Sequence, residues 1–148
     1  MFHNLANEVK VTRVMNGVAA GTTDQNSSAV DMQGWDGVMF ITSFGAITSG
    51  AVTSVKLQQD TASGMSTAAD LAGTGQTVAD DDDNQVVIHD LYRPTERYVR
   101  VVVDRGTQNA VIDGVVAIQY KGRKQPTTHD SSTVVSCEIY DSPAEGTA

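Results

Sequence analysis

The sequence predicts an all-β protein: a single-domain β-sandwich, jelly-roll-like, of about eight strands. Valine occurs 20 times and threonine 16 times, against only 4 leucines. Two heavy atoms on Cβ restrict the χ1 angle of valine and threonine, which favours a pleated strand over a helix. The 13 glycines supply turn conformations between short strands. Short strands at this regular spacing are typical of a sandwich or a jelly roll.

The first half of the chain contains three predicted strands. Residues 9–15 alternate with a period of two, which predicts a half-buried strand. Residues 16–26 are polar and rich in glycine and threonine, so we expect a loop there. Residues 38–41 form a short apolar run between glycines, typical of a strand buried on both faces or of a short core segment. Residues 52–58 form a further strand.

The clearest strand lies in the second half, over residues 96–104. Its alternation places one set of side chains on the face that we expect to enter the core. That set consists of Arg97, Val99, Val101 and Val103. A shorter strand over residues 85–89 precedes it, and we expect His89 at its end to be a rim residue.

Residues 110–120 are predicted to form the next strand, and residues 133–139 are predicted to form the last. Asp113-Gly114 interrupts the former as either a hairpin turn or a bulge, and we favour a bulge because the segment before it is short. Alternation through it places one set on the core side: Ile112, Gly114, Val116, Ile118 and Tyr120. Cys137, within the last strand, is expected to be a small buried hydrophobic residue.

The longest irregular stretch is expected over residues 60–84. Within it, residues 63–71 form a loop or one short turn of helix, because so short a helix is marginal without packing. We expect the sandwich domain to span residues 1–140. Residues 141–148 are small and polar, and we expect a tail there that becomes ordered on a partner.

Charge and composition exclude several classes of protein. The formal net charge is −8 and the pI is near 4.6, which disfavours binding to nucleic acid or to an anionic membrane. The single cysteine rules out an intramolecular disulfide and a cysteine-based zinc site. We also expect neither a membrane span nor a signal peptide, because no suitable apolar run is present.

The sequence offers no convincing catalytic or metal site. Asp80–Asp83 has the carboxylates that Ca²⁺ prefers, but Gln85 and Leu91 occupy the positions where a helix–loop–helix calcium site has glycine and glutamate. We therefore expect a solvated acidic loop. His3, His89 and His129 show no ligand spacing, and no G-x-S-x-G motif occurs. We expect no enzyme activity and no cofactor.

An interaction patch is predicted at residues 92–100, which hold three arginines and two tyrosines in an otherwise acidic chain. These residue types are enriched among interface anchors. The alternative is a loop entering a strand, with Arg97 paired to a local acid. The predicted partner contacts are Arg93 and Arg100, with Tyr92 and Tyr98 beside them, and secondarily Trp35, Ser142 and Pro143.

Three segments resemble small proteins encoded beside the major capsid gene of tailed bacteriophages: residues 30–38 (VDMQGWDGV), 91–101 (LYRPTERYVRV) and 142–148 (SPAEGTA). The resemblance implies a virion structural protein that decorates or cements the capsid surface by binding the major capsid protein, after assembly in the host cytoplasm. We also expect a homo-oligomer, a trimer or a dimer, because exposed sheet edges are commonly covered by partners.

Two alternatives remain at this point. Within the virion, the chain could instead be a head–tail connector or a tail protein. In a different class, it could be a carbohydrate-binding or hydrolytic β-sandwich. Aromatic residues make up only 5% of the chain and Trp35 is the single tryptophan, so a sugar-stacking platform is poorly supplied.

Overall fold

A computed structural model describes residues 4–147 and contains eleven β-strands and one short 3-10 helix, Leu5–Asn7. The strands are β1 (Lys10–Met15), β2 (Val18–Gly21), β3 (Gln25–Asn26), β4 (Val30–Asp31), β5 (Trp35–Ile47), β6 (Val52–Asp60), β7 (Ala69–Asp70), β8 (Gln76–Val78), β9 (Val86–Tyr92), β10 (Tyr98–Gly106) and β11 (Ala110–Gly122). In this part of the chain, no helix has the length and apolar character needed to cross a bilayer.

The strands pair antiparallel in two sheets. Sheet 1 has the order β1-β11-β5-β9, and β2 continues the edge formed by β1, because both pair with the side of β11 that faces away from β5. Sheet 2 has the order β3-β10-β6-β7, with β4 next to β3 along β10 and β8 next to β7 along β6. Counting each interrupted edge once leaves eight strand positions.

The order of these eight positions is that of a jelly roll. Numbered along the chain, sheet 1 reads 1-8-3-6 and sheet 2 reads 2-7-4-5, so the chain passes repeatedly between two four-stranded layers. The predicted all-β sandwich, its jelly-roll character and its count of about eight strands are confirmed. The number of separate strands is eleven because three of the eight positions are each interrupted and form two short strands.

The core lies between the sheets and is built from the inward side chains of both. Phe40 of β5 packs there with Val99, Val101 and Val103 of β10, all four of them fully buried. The predicted core face of β10 is therefore confirmed for its three valines. Arg97, predicted on that face, is exposed; this part of the prediction is wrong because β10 begins only after it.

The bulge predicted in β11 is present and has a consequence that simple alternation misses. The pairing of β11 with β5 shifts register between Ile112 and Gly114, and Gly114 has a φ of 147°. An inserted residue moves every following side chain to the opposite face. Val116 and Ile118, predicted in the core, therefore lie on the outer face of sheet 1. The inward residues after the bulge are Val115, Ala117 and Gln119.

The apolar run of β5 is buried on one face, not on both. Val38 and Phe40 are fully buried between the sheets, whereas Met39 and Ile41 point outward and are partly exposed. A run without polar residues gives no alternation from which to predict this difference. The outward side chains of Met39 and Ile41 instead make part of the outer face of sheet 1 apolar.

Short strands occupy both regions that we predicted as irregular. Residues 16–26 contain β2 and β3, and residues 60–84 contain β7 and β8. Residues 63–71 form turns leading into β7, with no helix. These pieces are two to four residues long and pair with β10, β11 or β6, so the neighbouring strand, rather than any apolar pattern of their own, places them.

The strand predicted at residues 133–139 is absent, since the last strand ends at Gly122. Cys137, expected to be buried in it, is exposed. An apolar run forms a strand only where a sheet edge accepts its backbone, and no strand of the described chain pairs with this run. The domain boundary predicted after residue 140 stays a prediction.

The chain after β11 instead runs past the free edge of β1. The N–H of Val11 donates to His129 Nδ1 at 3.2 Å, and His129 Nε2 lies 3.2 Å from the carbonyl oxygen of Ala6. The N–H of Thr127 donates to the Asn7 carbonyl at 2.9 Å. This segment satisfies polar groups that an edge strand would otherwise present to another chain.

Candidate functional site

An open cleft of about 580 Å³ lies at one end of the sandwich, where the loop before β5 meets the turn between β9 and β10. Trp35, at the start of β5, and Arg93, in the turn between β9 and β10, are both predicted partner contacts and line this cleft. Tyr92 precedes Arg93 at the end of β9. We call this surface the end cleft, lined among others by Met32, Trp35, Asp36, Arg93, Arg97 and Arg123.

Arg93 is the arginine of the end cleft that has no acidic partner within residues 4–147. Its N–H donates to the Asp36 carbonyl at 2.7 Å, and its φ of 54° is left-handed. This conformation costs a non-glycine residue about 1 kcal/mol. Backbone outliers of this kind concentrate at functional positions, and this one directs an unpaired cation to the surface.

The other two arginines of the end cleft are paired locally. Arg97 donates from Nε and Nη2 to the two carboxylate oxygens of Asp31 at 2.9 and 2.8 Å, and Arg123 Nη2 donates to Asp36 Oδ1 at 3.0 Å. The Arg97 guanidinium holds the pKa of the Asp31 carboxyl below its ordinary value of 3.8. Arg97 thus has the local acidic partner that the sequence suggested, and Arg93 remains available.

Tyr92 stands beside the cleft between two cations. The Arg93 guanidinium lies 5.0 Å from the centroid of its ring, and Lys121 Nζ lies 4.9 Å from it. Such contacts contribute about 0.5–1 kcal/mol each at exposed sites. The ring is still 46% exposed, so it offers apolar contact area next to the unpaired charge of Arg93.

Arg100 lies away from the end cleft, on the outer face of sheet 2, whereas the Tyr98 ring lies 5.2 Å from the guanidinium of Arg97 beside the cleft. Arg100 donates from Nε and Nη2 to Gln58 Oε1 at 2.9 and 2.7 Å. On the same face Lys56 forms an ion pair with Asp70 at 3.0 Å. This face is polar, and its side chains are already engaged with one another. The predicted patch of arginine and tyrosine is therefore divided between two surfaces.

The two predicted tail contacts, Ser142 and Pro143, are exposed beyond the last strand. The same segment carries exposed apolar side chains at Val135, Ile139 and Tyr140. A segment with little regular structure and exposed apolar groups can become ordered on a partner, at an entropic cost.

A second surface, which we did not predict, covers the outer face of sheet 1. Each of its four strands carries at least one outward aliphatic side chain that is partly exposed; Val86 and Ile88 of β9 are 53% and 50% exposed. Because neighbouring strands are in register, these side chains adjoin one another. We call this surface the aliphatic face and define it by Val11, Met39, Ile41, Val86, Ile88, Val116 and Ile118.

The aliphatic face was missed because its residues resemble core residues in sequence. Val116 and Ile118 continue the alternation of Ile112, and only the bulge moves them outward. The signal was present in Asp113-Gly114, since a bulge in a strand reverses the faces beyond it. Applying that rule to the predicted bulge would have placed both residues outside.

Aromatic rings packed over glycines connect the aliphatic face to the end cleft. A Cβ on Gly37 would lie 2.1 Å from the Tyr120 ring, and a Cβ on Gly122 would lie 2.6 Å from the Trp35 ring. Gly37 and Gly122 are also the register partners of Tyr120 and Trp35. Burial, with a hydrogen bond to Asp90, raises the pKa of Tyr120 from 10 to about 12.

The acidic run Asp80–Asp83 is hydrogen-bonded to backbone groups. Asp80 Oδ2 accepts the N–H of Gly50 at 2.6 Å, and Asp83 accepts the N–H of Ile47. Asp82 accepts the N–H of Ala79, in its own turn. The run therefore fastens its loop to the β5–β6 turn. Over residues 4–147 no group of three or more histidine, cysteine or acidic side chains is placed to hold a metal ion.

Two buried polar side chains hold loops in place. His89, expected at the rim, is buried within β9, and its Nε2 lies 2.7 Å from the Thr74 carbonyl oxygen; the strand extends beyond it, so that expectation was wrong. Arg105 is 6% exposed and its guanidinium donates to the carbonyl oxygens of Ala19, Thr23 and Ala110. The third histidine discussed above, His3, lies outside the described residues.

Comparison with known proteins does not identify the chain: no protein-family model matches it, and no curated protein matches it by sequence. Its function is therefore argued from its own surfaces. Two of these stand out, namely the end cleft with its unpaired Arg93 and the aliphatic face of sheet 1.

Proposed function

We propose that this protein is a virion structural component that binds the exterior of a tailed-phage capsid and stabilises the head, as a decoration or cement protein. The observation that carries the proposal is the end cleft, where the unpaired guanidinium of Arg93 lies beside the aromatic rings of Trp35 and Tyr92. The resemblance of residues 30–38, 91–101 and 142–148 to proteins encoded beside the major capsid gene indicates which assembly.

The aliphatic face is unusual for a sheet that faces water. An antiparallel sheet with one solvated side normally alternates apolar residues inward with polar residues outward. Sheet 2 follows this rule, with Lys56, Gln58 and Arg100 on its outer side. Sheet 1 departs from it on all four strands. Contiguous exposed apolar patches of this kind mark interaction sites.

The end cleft is the surface that we assign to the major capsid protein. Arg93 supplies an unpaired, directional cation, while Trp35 and Tyr92 supply aromatic area beside it. Arginine, tryptophan and tyrosine are the residues most often found as anchors of protein interfaces. An acidic side chain or backbone carbonyl on the capsid surface would complete the site.

Binding by itself accounts for stabilisation of the head. A ligand that binds the assembled lattice and not the dissociated subunits stabilises the lattice by about 2.7 kcal/mol at a concentration one hundred times its Kd. This function requires neither a catalytic residue nor a cofactor. The net charge of −8 opposes contact with packaged DNA, which favours the outer surface of the capsid.

The decisive experiment is to image heads of the encoding phage with and without this protein and to count its copies. Density on the outside of the shell, repeated with the capsid lattice, is the expected result. A few copies at one vertex would instead make it a head–tail connector, and copies along the tail would make it a tail protein. Complete absence from purified virions would overturn every virion role.

A further inference from the structure

The outer face of sheet 1 is arranged in rows that run across its four strands. Register pairing defines two central rows. In the order β1, β11, β5, β9, the first row is Arg13, Val116, Ile41 and Ile88. The second row is Val11, Ile118, Met39 and Asp90. The aliphatic side chains thus form a continuous centre, and a charged residue stands at one end of each row.

The two charges have opposite sign and lie at diagonally opposite corners. Arg13 is exposed on the β1 edge, where its one hydrogen bond within the described chain is a long contact of 3.5 Å to the Asp113 carbonyl. Asp90 is exposed on the β9 edge and accepts from the Tyr120 hydroxyl. The midpoint between the two corners falls among the central aliphatic side chains.

We propose that two copies of this chain pack against each other through this face as a two-fold dimer. A two-fold axis that lies in the plane between the sheet 1 faces of the two copies, perpendicular to the line from Arg13 to Asp90, exchanges those two positions. Each Arg13 then meets the Asp90 of the second copy, twice per dimer, with the aliphatic centres in contact. A surface that is self-complementary in this way is what a two-fold interface requires.

The size of the face suits a weakly associating second copy. With strands about 4.8 Å apart and outward residues about 6.8 Å apart along each strand, the two central rows and the adjacent row that contains Ser43 and Val86 cover roughly 400 Å². A pair of copies would bury about 800 Å² in total, which is within the size of weak and transient interfaces. Two sheet faces also pack readily, about 10 Å apart. We therefore expect a reversible dimer rather than an obligate one.

The test is the oligomeric state of the full chain, measured by sedimentation velocity over a micromolar to millimolar range. The wild-type chain is expected to form a dimer. Arg13→Glu should weaken the dimer about tenfold or more, because it places like charges together at both corners. The double variant Arg13→Glu/Asp90→Arg should regain most of the affinity. Ser66→Lys, exposed in the turns between β6 and β7, is the matched control and should change nothing.

Thermal unfolding of each variant establishes that it is folded. If Asp90→Arg fails to fold because Tyr120 loses its acceptor, Val116→Lys takes its place and should leave the chain monomeric. A wild-type chain that is monomeric at every concentration overturns the inference. So does a dimer that is unaffected by Arg13→Glu and Val116→Lys, or a double reversal that dimerises no better than Arg13→Glu alone.

The inference extends the proposed function, and the two can fail separately. A chain that dimerises as described but does not bind heads overturns the capsid role alone. A chain that binds heads but stays monomeric overturns the dimer alone. Because we place capsid binding at the end cleft, a folded monomeric variant should still bind heads, more weakly for want of a second attachment point.

Discussion

Arg93 is the residue through which the proposed capsid contact is most directly tested. Its guanidinium has no carboxylate partner within the described chain, whereas that of Arg100 donates twice to Gln58. We expect Arg93→Ala to weaken binding to undecorated heads by about 1–2 kcal/mol, the usual range for an interface anchor. Arg100→Ala, the matched control, should bind like the wild type. The reverse outcome would move the contact surface to the outer face of sheet 2.

Gly37 illustrates a residue whose lack of a side chain is structural. Any Cβ at this position would lie 2.1 Å from the Tyr120 ring. Gly37→Ala should therefore lower the free energy of unfolding by about 1–3 kcal/mol through overpacking, measured by urea denaturation. Gly64→Ala is the control, since a Cβ there meets nothing within 4 Å. Equal midpoints for the two variants would show that Tyr120 moves aside freely.

Asp60 links stability to pH. The N–H of Ala62, with the N–H and hydroxyl of Thr67, holds the pKa of the Asp60 carboxyl below its ordinary value of 3.8. A carboxyl with a lowered folded-state pKa stabilises the fold above its unfolded-state pKa, and this contribution is lost as the pH falls through the folded-state value.

We therefore expect the wild type to lose more stability than Asp60→Asn between pH 5 and pH 3, measured by denaturant unfolding at each pH. Asp31 and Asp70 also have a lowered pKa and contribute in both proteins, so the comparison with Asp60→Asn isolates one carboxyl. Parallel curves for the two proteins would contradict the assignment.

At the scale of elements, the bulge of β11 can be tested with two adjacent valines. Val115 is fully buried, while Val116 lies on the outer face of sheet 1. Val115→Ala should lower the free energy of unfolding by about 2 kcal/mol, through lost burial and the cavity it leaves. Val116→Ala should cost clearly less, at concentrations where the chain is monomeric. A larger cost for Val116→Ala would mean that Val116 lies in the core, as simple alternation predicts, and that sheet 1 has no aliphatic face.

Strands differ in how far their own residues determine them. β10 has three inward valines at alternate positions, and its sequence predicted both the strand and its buried face. The run at residues 133–139 has a comparable composition but pairs with none of the sheet edges in the described chain, and it forms no strand. β3 and β7 have no apolar pattern and exist because β10 and β6 present an edge to them.

At the scale of the whole molecule, the two surfaces would give the proposed decoration protein two separate attachments. The end cleft is placed at one end of the sandwich and the aliphatic face on the outside of sheet 1. A dimer formed through that face would present two end clefts. Binding through both raises the effective affinity without any new contact.

Heads saturated with the protein should dissociate at a higher temperature than undecorated heads, with a shift that grows with the concentration of free protein. Differential scanning calorimetry of purified heads measures it. Arg93→Ala should require a higher concentration for the same shift. A dissociation temperature that does not depend on added protein would show that the chain is bound without stabilising the shell.

The sequence by itself determined the fold class, the buried face of β10 and the position of the bulge, because these depend on residue type and on alternation between neighbours. It also predicted Arg93 and Trp35 as partner contacts from their chemistry. Only the tertiary structure decided that these two meet in one cleft while Arg100 does not, since that depends on pairing between distant strands. The predicted bulge already implied the outward orientation of Val116 and Ile118, but only the pairing of β1, β11, β5 and β9 brings them together with other aliphatic side chains in one face.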